Sequence, residues 1–165
     1  MGQNLLSIFN LNKFFQEPKP IKMTKEDIPQ IIEIYKSYWG TIGLYKDSTL
    51  KKIISQKISY AYKKGGEIIA FCLIYYTKNK IGIITLICVK KEYKGHHLGK
   101  SLLSFCINNC SKLNVKKFSL HVSTTNLHAL TLYKNLGFIV KKHITNYYHD
   151  ENPKDSDAFY MTLNI

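Results

Sequence analysis

Acidic residues are scarce in this chain. It has 11 Asp and Glu residues against 24 Lys and Arg residues, which gives a formal net charge of +13. Few carboxylates argue against a site for a polycationic ligand such as a polyamine. The excess of lysine favours a polyanionic partner, such as a nucleic acid, an acidic membrane face or a phosphorylated cofactor. The alternative is that the lysines only solvate the surface.

Three further features are missing. No apolar stretch approaches the ~20 residues of a membrane-spanning helix, so we expect no transmembrane segment. The four cysteines form no CxxC pair and no Cys/His cluster with zinc-ligand spacing, so we expect no metal site. The start lacks the charged and apolar regions of a secretory signal. We therefore expect a cytoplasmic protein whose cysteines are buried and reduced.

The apolar content is sufficient for one folded domain. The chain has 165 residues, of which 45% are hydrophobic, and this length supports a single core. We predict that residues 1–20 form an N-terminal extension, because Pro18-Lys19-Pro20 breaks any helix there. Residues 21–165 then form the domain.

The apolar pattern alternates between strand and helix periods. Helical spacing follows residues 28, 47, 98 and 126, and strand signals lie at 21–23, 59–63, 67–77, 81–89, 118–122, 138–144 and 158–165. This order predicts an α/β domain with a mixed sheet. The segment 81–89 is almost wholly apolar, which suits a central strand covered on both faces. The unit from residue 81 to 122 should be a parallel strand–helix–strand crossover.

A turn with two glycines joins the central strand to the next helix. Its sequence is Lys94-Gly95-His96-His97-Leu98-Gly99-Lys100. Amides and the partial positive charge at a helix N-terminus, together with two lysines, suit a pyrophosphate. The spacing is neither GxxxxGK[ST] nor GxGxxG, so neither an NTPase nor a dinucleotide fold is indicated. The two glycines alone are also explained by ordinary turn chemistry.

This turn resembles the pyrophosphate loop of the GNAT N-acetyltransferases, whose pattern is Gln/Arg-x-x-Gly-x-Gly/Ala. Lys94 stands at the basic first position and Gly99 at the last small position, whereas His97 occupies the usual glycine position. A later segment, Asn126-Leu127-His128-Ala129-Leu130-Thr131-Leu132-Tyr133 followed by Leu136-Gly137-Phe138, resembles the family's Asn-x-x-Ala-x-x-Leu/Phe-Tyr…Gly-Phe motif. Taken singly, its residues are equally an N-cap, a core spacer and a core aromatic.

The resemblance, over about residues 21–165, implies a GNAT fold and an acetyl-CoA-dependent N-acetyltransferase. That fold is a single mixed, mostly antiparallel sheet with a parallel central pair and about four helices. The acceptor amine would attack the thioester directly, and Tyr133 would reach the coenzyme sulfur as the acid. The coenzyme-binding residues implied are Ile87, Cys88, Val89, Lys94, Gly95, His96, His97, Leu98, Gly99, Lys100, Ser101, Asn126, Ala129 and Tyr133.

The strand around Leu120-His121-Val122 and the later Tyr147-Tyr148 resemble catalytic subunits of protein amino-terminal acetyltransferases. This implies that His121 is the general base, often through water, and that the two tyrosines bind the backbone of the substrate's first residues. The partners implied are a peptide or protein N-terminus and a ribosome or auxiliary subunit. Histidine, of pKa ~6.5, suits an α-amine of pKa ~8 better than a lysine of ~10.4.

The sequence departs from the family pattern at one position, and two alternative functions stay open. Several members of the family have a catalytic tyrosine near the start of the central strand, where an ungapped alignment places Ile83 beside Gly82. Tyr38 and Trp39 are candidate walls for the substrate's first side chain. The rival enzyme acts on lysine or a small amine. The rival of another class is a basic RNA- or ribosome-binding module that keeps the fold.

Overall fold

The computed structural model describes residues 19–41, 45–148 and 156–165. Within these ranges a seven-stranded sheet forms the centre, with the order β1-β2-β3-β4-β5-β7-β6. Neighbouring strands are antiparallel except β4 and β5, which are parallel. The predicted mixed sheet is therefore confirmed. Its strands are β1 (Ile21–Lys22), β2 (Tyr60–Lys64), β3 (Glu67–Tyr76), β4 (Ile81–Val89), β5 (Lys117–Ser123), β6 (Ile139–Ile144) and β7 (Ala158–Asn164).

Helices cover both faces of the sheet. They are α1 (Ile28–Trp39), α2 (Asp47–Ser55), α3 (Leu98–Ser111) and α4 (Leu127–Asn135), with short 3-10 turns at Lys25–Asp27 and Lys91–Tyr93. Apolar side chains of α1 and α2 bury one face, and those of α3 and α4 bury the other. Within the described ranges no helix is long and apolar enough to cross a bilayer. The predicted extension falls almost entirely outside these ranges.

The apolar stripes explain why each helix lies where it does. In α1 the buried residues are Ile28, Ile31 and Ile34, and in α3 they recur at the same three- and four-residue spacing from Leu98 to Cys110. Such a stripe can be removed from water only against another apolar surface, which the pleated sheet supplies. All four cysteines are buried and free of disulfides, as expected.

The two parallel strands stay together for only three residues. Ile81, Gly82 and Ile83 of β4 pair with Lys117, Phe118 and Ser119 of β5, and the two strands then diverge. Most of β4 beyond this point is only partly buried. Side chains of β4 nevertheless pack against the hydrophobic clusters on both faces of the sheet, so the predicted coverage of the central strand is confirmed, and the divergence opens a gap along one edge of β4.

A β-bulge lies where the gap begins. Leu73 pairs with Leu86 while Ile74 pairs with Ile84, so Thr85 is the extra residue of β4. The Thr85 hydroxyl donates to the Leu73 carbonyl at 3.1 Å, and the Tyr45 hydroxyl donates to the Thr85 carbonyl at 3.3 Å. A bulge adds twist and redirects the strand that carries it. Here it changes the direction of β4 at the point where β5 departs.

Gly82 permits the close approach of the two parallel strands. A Cβ atom at this position would lie 2.6 Å from Cε1 of Phe118, whose ring is fully buried. We expect Gly82→Ala to lower the free energy of unfolding by about 1–3 kcal/mol, since overpacking forces a core side chain to move. Chemical denaturation measures the change. Gly99→Ala is the matched control, because its Cβ would meet only Val89 at an ordinary 3.5 Å, and equal effects of the two substitutions would contradict the expectation.

Candidate functional site

One wall of the gap carries His121 under two tyrosines. His121 alternates with buried Leu120 and Val122 on β5, so it faces the side of the sheet on which α1 and α2 pack. The Tyr147 ring stacks on the imidazole, with centroids 4.3 Å apart and an interplanar angle of 14°. Tyr148 meets Tyr147 edge-on at 4.9 Å. The structure thus brings together three residues that the sequence predicted from distant segments.

The surroundings keep His121 neutral. Burial lowers the pKa of its imidazole below the ordinary value of 6.5, because burial penalises the protonated form. Tyr160 of β7 lies beside it, with ring centroids 5.2 Å apart. A neutral imidazole at pH 7 has a nitrogen lone pair that can accept a proton.

A group of tyrosine hydroxyls surrounds the same opening. Burial raises the pKa values of Tyr35, Tyr45 and Tyr147, and raises that of Tyr148 to about 12. Tyr147, Tyr45 and Tyr35 add, in that order, to the raised pKa of Tyr148. Raised pKa values keep the hydroxyls protonated, which makes this wall a set of uncharged hydrogen-bond donors.

Tyr45 belongs to this wall and was missed by the sequence analysis. It lies in the connection between α1 and α2, a segment with no motif, and nothing in its local sequence distinguishes it from a core aromatic. Its hydroxyl reaches the bulge at Thr85. Only the pairing of β4 with β3 places that bulge next to the tyrosines of the β6–β7 turn.

Tyr133 lies on the opposite face of the sheet from His121. It lies on α4, packs edge-on against Phe138 at 5.8 Å and is 6% exposed. Burial raises its pKa above the ordinary value of 10, and the charges of Cys72 and Tyr148 add to the effect. Tyr133 is consequently a protonated donor at any physiological pH.

The glycine-containing turn has the backbone that an anion site needs. His97, where the family pattern has glycine, adopts φ 56° and ψ 10°, in the left-handed region. This conformation costs a residue other than glycine about 1–2 kcal/mol, so the loop shape is kept in spite of the substitution. The first helical hydrogen bond of α3 runs from the Ser101 N–H to the His97 carbonyl at 3.0 Å. The amides of Leu98, Gly99 and Lys100 precede it, where helix geometry provides no intrahelical acceptor.

The predicted coenzyme residues of β4 and the loop are connected through Tyr38. The Tyr38 hydroxyl donates to the Val89 carbonyl at 2.6 Å. The ammonium groups of Lys94 and Lys91 lie 4.6 and 5.5 Å from the centre of the same ring. Tyr38 therefore lies against the base of the loop. Its predicted contact with the substrate's first side chain stays a prediction.

Beyond Ile83, one edge of β4 pairs with no strand among the described residues. Alternate residues of a strand direct their N–H and C=O groups to opposite edges, so part of the backbone of Ile87, Cys88 and Val89 faces the gap. The Cys88 side chain is buried, and burial raises the pKa of its thiol to about 12. The thiol is thus protonated and unreactive, so Cys88 offers only its backbone to a ligand.

The remaining predicted site residues differ in their contacts and in their exposure to solvent. The Asn126 side chain accepts the Ala129 N–H at 3.0 Å and caps α4, so the N-cap explanation of Asn126 holds whatever else it binds. The Ser101 hydroxyl lies 2.9 Å from that of Tyr62. Trp39 is 42% exposed and touches Tyr35 and Tyr38 rather than the tyrosines of the β6–β7 turn. On the loop, the exposed residues are Lys94, Gly95, His96, His97 and Lys100.

A family model and a related sequence both indicate the same family for this chain. The sequence model described as the acetyltransferase (GNAT) family matches residues 28–138. A protein of Bacillus subtilis named putative [ribosomal protein bS18]-alanine N-acetyltransferase is 30% identical over 144 residues, which cover 86% of this chain and 93% of the relative.

Solved structures share the fold. Ard1 from Thermoplasma volcanium superposes with a TM-score of 0.76 at 19% identity, covering 89% of this chain and 97% of its own. Arabidopsis thaliana Naa50, in complex with the bisubstrate analogue CoA-Ac-MVNAL, superposes with a TM-score of 0.74 at 20% identity, covering 89% and 98%. At such identities the likeness concerns the arrangement of strands and helices.

Proposed function

This chain belongs to the acetyltransferase (GNAT) family and is an acetyl-CoA-dependent N-acetyltransferase, and we propose that its acceptor is the α-amino group of a protein N-terminus. The observation that carries the proposal is the placement of His121 beneath Tyr147 on one face of the sheet, beside the β4–β5 gap, with Tyr133 buried on the other face. An amine acceptor and a thioester donor need separate entrances that meet at one point. The gap joins the two faces of the sheet.

Each wall has a distinct task in this proposal. The amides that open α3, with Lys94 and Lys100, hold the diphosphate of acetyl-CoA. The open edge of β4 donates backbone N–H groups to the thioester carbonyl as negative charge develops on its oxygen. His121 accepts the proton of the attacking amine, through a water molecule. Tyr133 donates a hydrogen bond to the sulfur when the C–S bond breaks.

The residues around His121 suit an α-amine better than a lysine side chain. Attack requires the neutral amine, and an α-amine of pKa ~8 loses its proton far more readily than a lysine of pKa ~10.4. A histidine of lowered pKa is a weak base, so it matches the more acidic ammonium group. The uncharged tyrosine wall offers hydrogen bonds to a peptide backbone. The name of the Bacillus subtilis relative, an acetyltransferase for an alanine of a ribosomal protein, agrees with this acceptor class.

A panel of peptide acceptors tests the proposal. Each peptide is offered with acetyl-CoA in two forms, with a free and with a chemically blocked N-terminus. The first residue is varied, and Ala and Met are included. Peptides with a blocked N-terminus and an internal lysine complete the panel, and mass spectrometry locates the acetyl group. We expect rates at least about 100-fold higher for free N-termini, because internal lysines are almost wholly protonated at pH 7.

Acetylation confined to internal lysines would overturn the acceptor and leave the family unaffected. A small polyamine acceptor would need carboxylates near the gap. Asp157, the described acid closest in sequence to the tyrosine turn, is already occupied by His143 and by the Asn146 N–H. Asp150, Glu151 and Asp155, the other candidates for an acidic patch, lie outside the described residues.

Exposed lysines support the competing function, a basic RNA- or ribosome-binding module. Lys78, Lys80, Lys112 and Lys116 are exposed at the end of the sheet where β4 and β5 begin. The Lys116 N–H donates to the Lys80 carbonyl at 3.4 Å, so the two connections that carry these lysines touch. Such a patch could attach the enzyme to ribosomal RNA or to an auxiliary subunit while the gap acts on a nascent chain. Salt-sensitive RNA binding without any binding of acetyl-CoA would favour the binding module over the enzyme.

A further inference from the structure

The turn between β6 and β7 carries both tyrosines of the acceptor wall. It leaves β6 after Ile144, and its described part ends at Tyr148, before the chain resumes at Ser156. Tyr147 and Tyr148 are 38% and 42% exposed, so little core packing fixes them. An exposed turn needs other contacts to keep a ring stacked 4.3 Å from the His121 imidazole.

Asp157 supplies those contacts. One carboxylate oxygen accepts the Asn146 N–H at 2.9 Å, immediately before Tyr147. The other lies 2.9 Å from Nε2 of His143, on β6. The Asp157 backbone carbonyl accepts the Thr124 N–H at 3.1 Å, just beyond the end of β5. A single residue thus joins the edge strand, the tyrosine turn and the strand that carries His121.

The neighbouring backbone completes the arrangement. The Tyr148 N–H donates to the Ser156 carbonyl at 2.9 Å, so the residue before Asp157 holds the second tyrosine. Asn146 has φ 52°, in the left-handed region. That conformation directs its N–H toward the carboxylate at a small cost for asparagine, which tolerates it better than most residues. The chain has no Asp or Glu from residue 93 to residue 149, so no acid of that stretch can replace Asp157.

We propose that Asp157 is a positioning residue whose carboxylate holds the Tyr147–Tyr148 turn over His121 and thereby sets the acceptor side of the site. This inference rests on the proposed roles of His121 and the two tyrosines. Asp157 touches neither the loop at the start of α3 nor Tyr133, and the coenzyme side does not depend on it. Removal of the carboxylate releases the turn, which then no longer presents its hydroxyls at one place.

The kinetic test compares Asp157→Ala and Asp157→Asn in the full chain. We expect Asp157→Ala to raise KM for a free-N-terminus peptide at least about 10-fold and to leave KM for acetyl-CoA within about twofold. Asp157→Asn should recover part of the loss, because its amide oxygen can still accept the Asn146 N–H. Asp47→Asn is the matched control, since it removes a surface acid paired with Lys51 on α2. Equal increases in both KM values would show a general structural effect and overturn the inference.

An NMR titration tests the same contact without any turnover. The His121 signal, assigned by its loss in His121→Ala, should titrate below pH 6.5 in the unmodified protein and closer to 6.5 in Asp157→Ala, because the covering ring is released. An unchanged His121 titration in Asp157→Ala would overturn the inference even if peptides are acetylated. A changed titration with no peptide acetylation would support the contact and count against the proposed acceptor. If Asp157→Ala does not fold, His143→Gln is used instead, because it replaces the histidine that contacts one oxygen of the Asp157 carboxylate. The same outcomes then support or overturn the inference.

Discussion

His121→Ala is expected to lower kcat/KM for a free-N-terminus peptide by about 100-fold or more at pH 7, since a positioned general base contributes about 10²–10⁴ to rate. Its imidazole is neutral at that pH because burial lowers its pKa. Steady-state kinetics with saturating acetyl-CoA measure the loss. His128→Ala is the matched control, because His128 is exposed on α4 and has no role in the proposal.

A second variant separates proton transfer from packing. His121→Phe keeps a ring beneath Tyr147 but has no nitrogen, so we expect it to be as slow as His121→Ala. Near-normal activity of His121→Phe would show that stacking, not a base, is what this position supplies.

The pH profile follows from the same assignment. The lowered pKa of His121 places the loss of activity by imidazole protonation below pH 6.5. The rise in kcat/KM up to pH ~8 then reports the acceptor amine becoming neutral. His121→Ala should still show this rise in kcat/KM up to the same pH, with lower values throughout.

Tyr133→Phe is expected to lower kcat by about 10- to 100-fold. Because the pKa of Tyr133 is raised by burial and a coenzyme thiol resembles cysteine at ~8.5, complete proton transfer from the phenol to the thiolate is unfavourable. The hydroxyl acts instead by donating a hydrogen bond to the departing sulfur. A bond to a charged group contributes about 1.5–3 kcal/mol, which corresponds to this range of rates.

Rapid-quench measurement of a single turnover isolates the step that Tyr133 serves. KM for acetyl-CoA should change little, since the ring that packs on Phe138 is kept. Tyr60→Phe is the control, a core tyrosine on β2 that meets Phe105 edge-on at 5.0 Å. Equal rates for Tyr133→Phe and the unmodified protein would remove Tyr133 from the reaction and would leave His121 unaffected.

The order of helices and strands was available from the sequence because it depends on local periods. Apolar residues three and four apart can be buried together only on a helix, and alternating ones only on a strand. The limits of β4, 81–89, were predicted without error, while the ends of the other strands moved by at most one residue. The short turn at Lys91–Tyr93 was missed, since three residues are too few to show a period.

Residues of the candidate site could be predicted where a short segment of sequence carries a recognisable motif of suitable chemistry. The loop before α3, the Asn126 cap and the tyrosine pair were found in this way. His97 shows the limit, because it stands where the family pattern has glycine, and only the structure shows that its backbone takes the left-handed conformation that glycine adopts. Tyr45 carried no local signal, and Asp157 stood out only as one of the few acids before the last strand. Each matters through partners that are distant in the chain, about 40 residues away for Tyr45 (Thr85) and 11 to 33 residues away for Asp157 (Asn146, His143, Thr124).

By itself the sequence determined an α/β domain with a glycine-containing turn before α3, a histidine on the face of β5 opposite to Leu120 and Val122, and a basic composition. Each of these follows from residue type and local spacing. Only the tertiary structure decided that β5 departs from β4 after three pairs, that Thr85 bulges there and meets Tyr45, and that Asp157 holds the tyrosine turn. The physical reason is that strand register and divergence are set by packing between segments distant in the chain, and no local pattern encodes that packing.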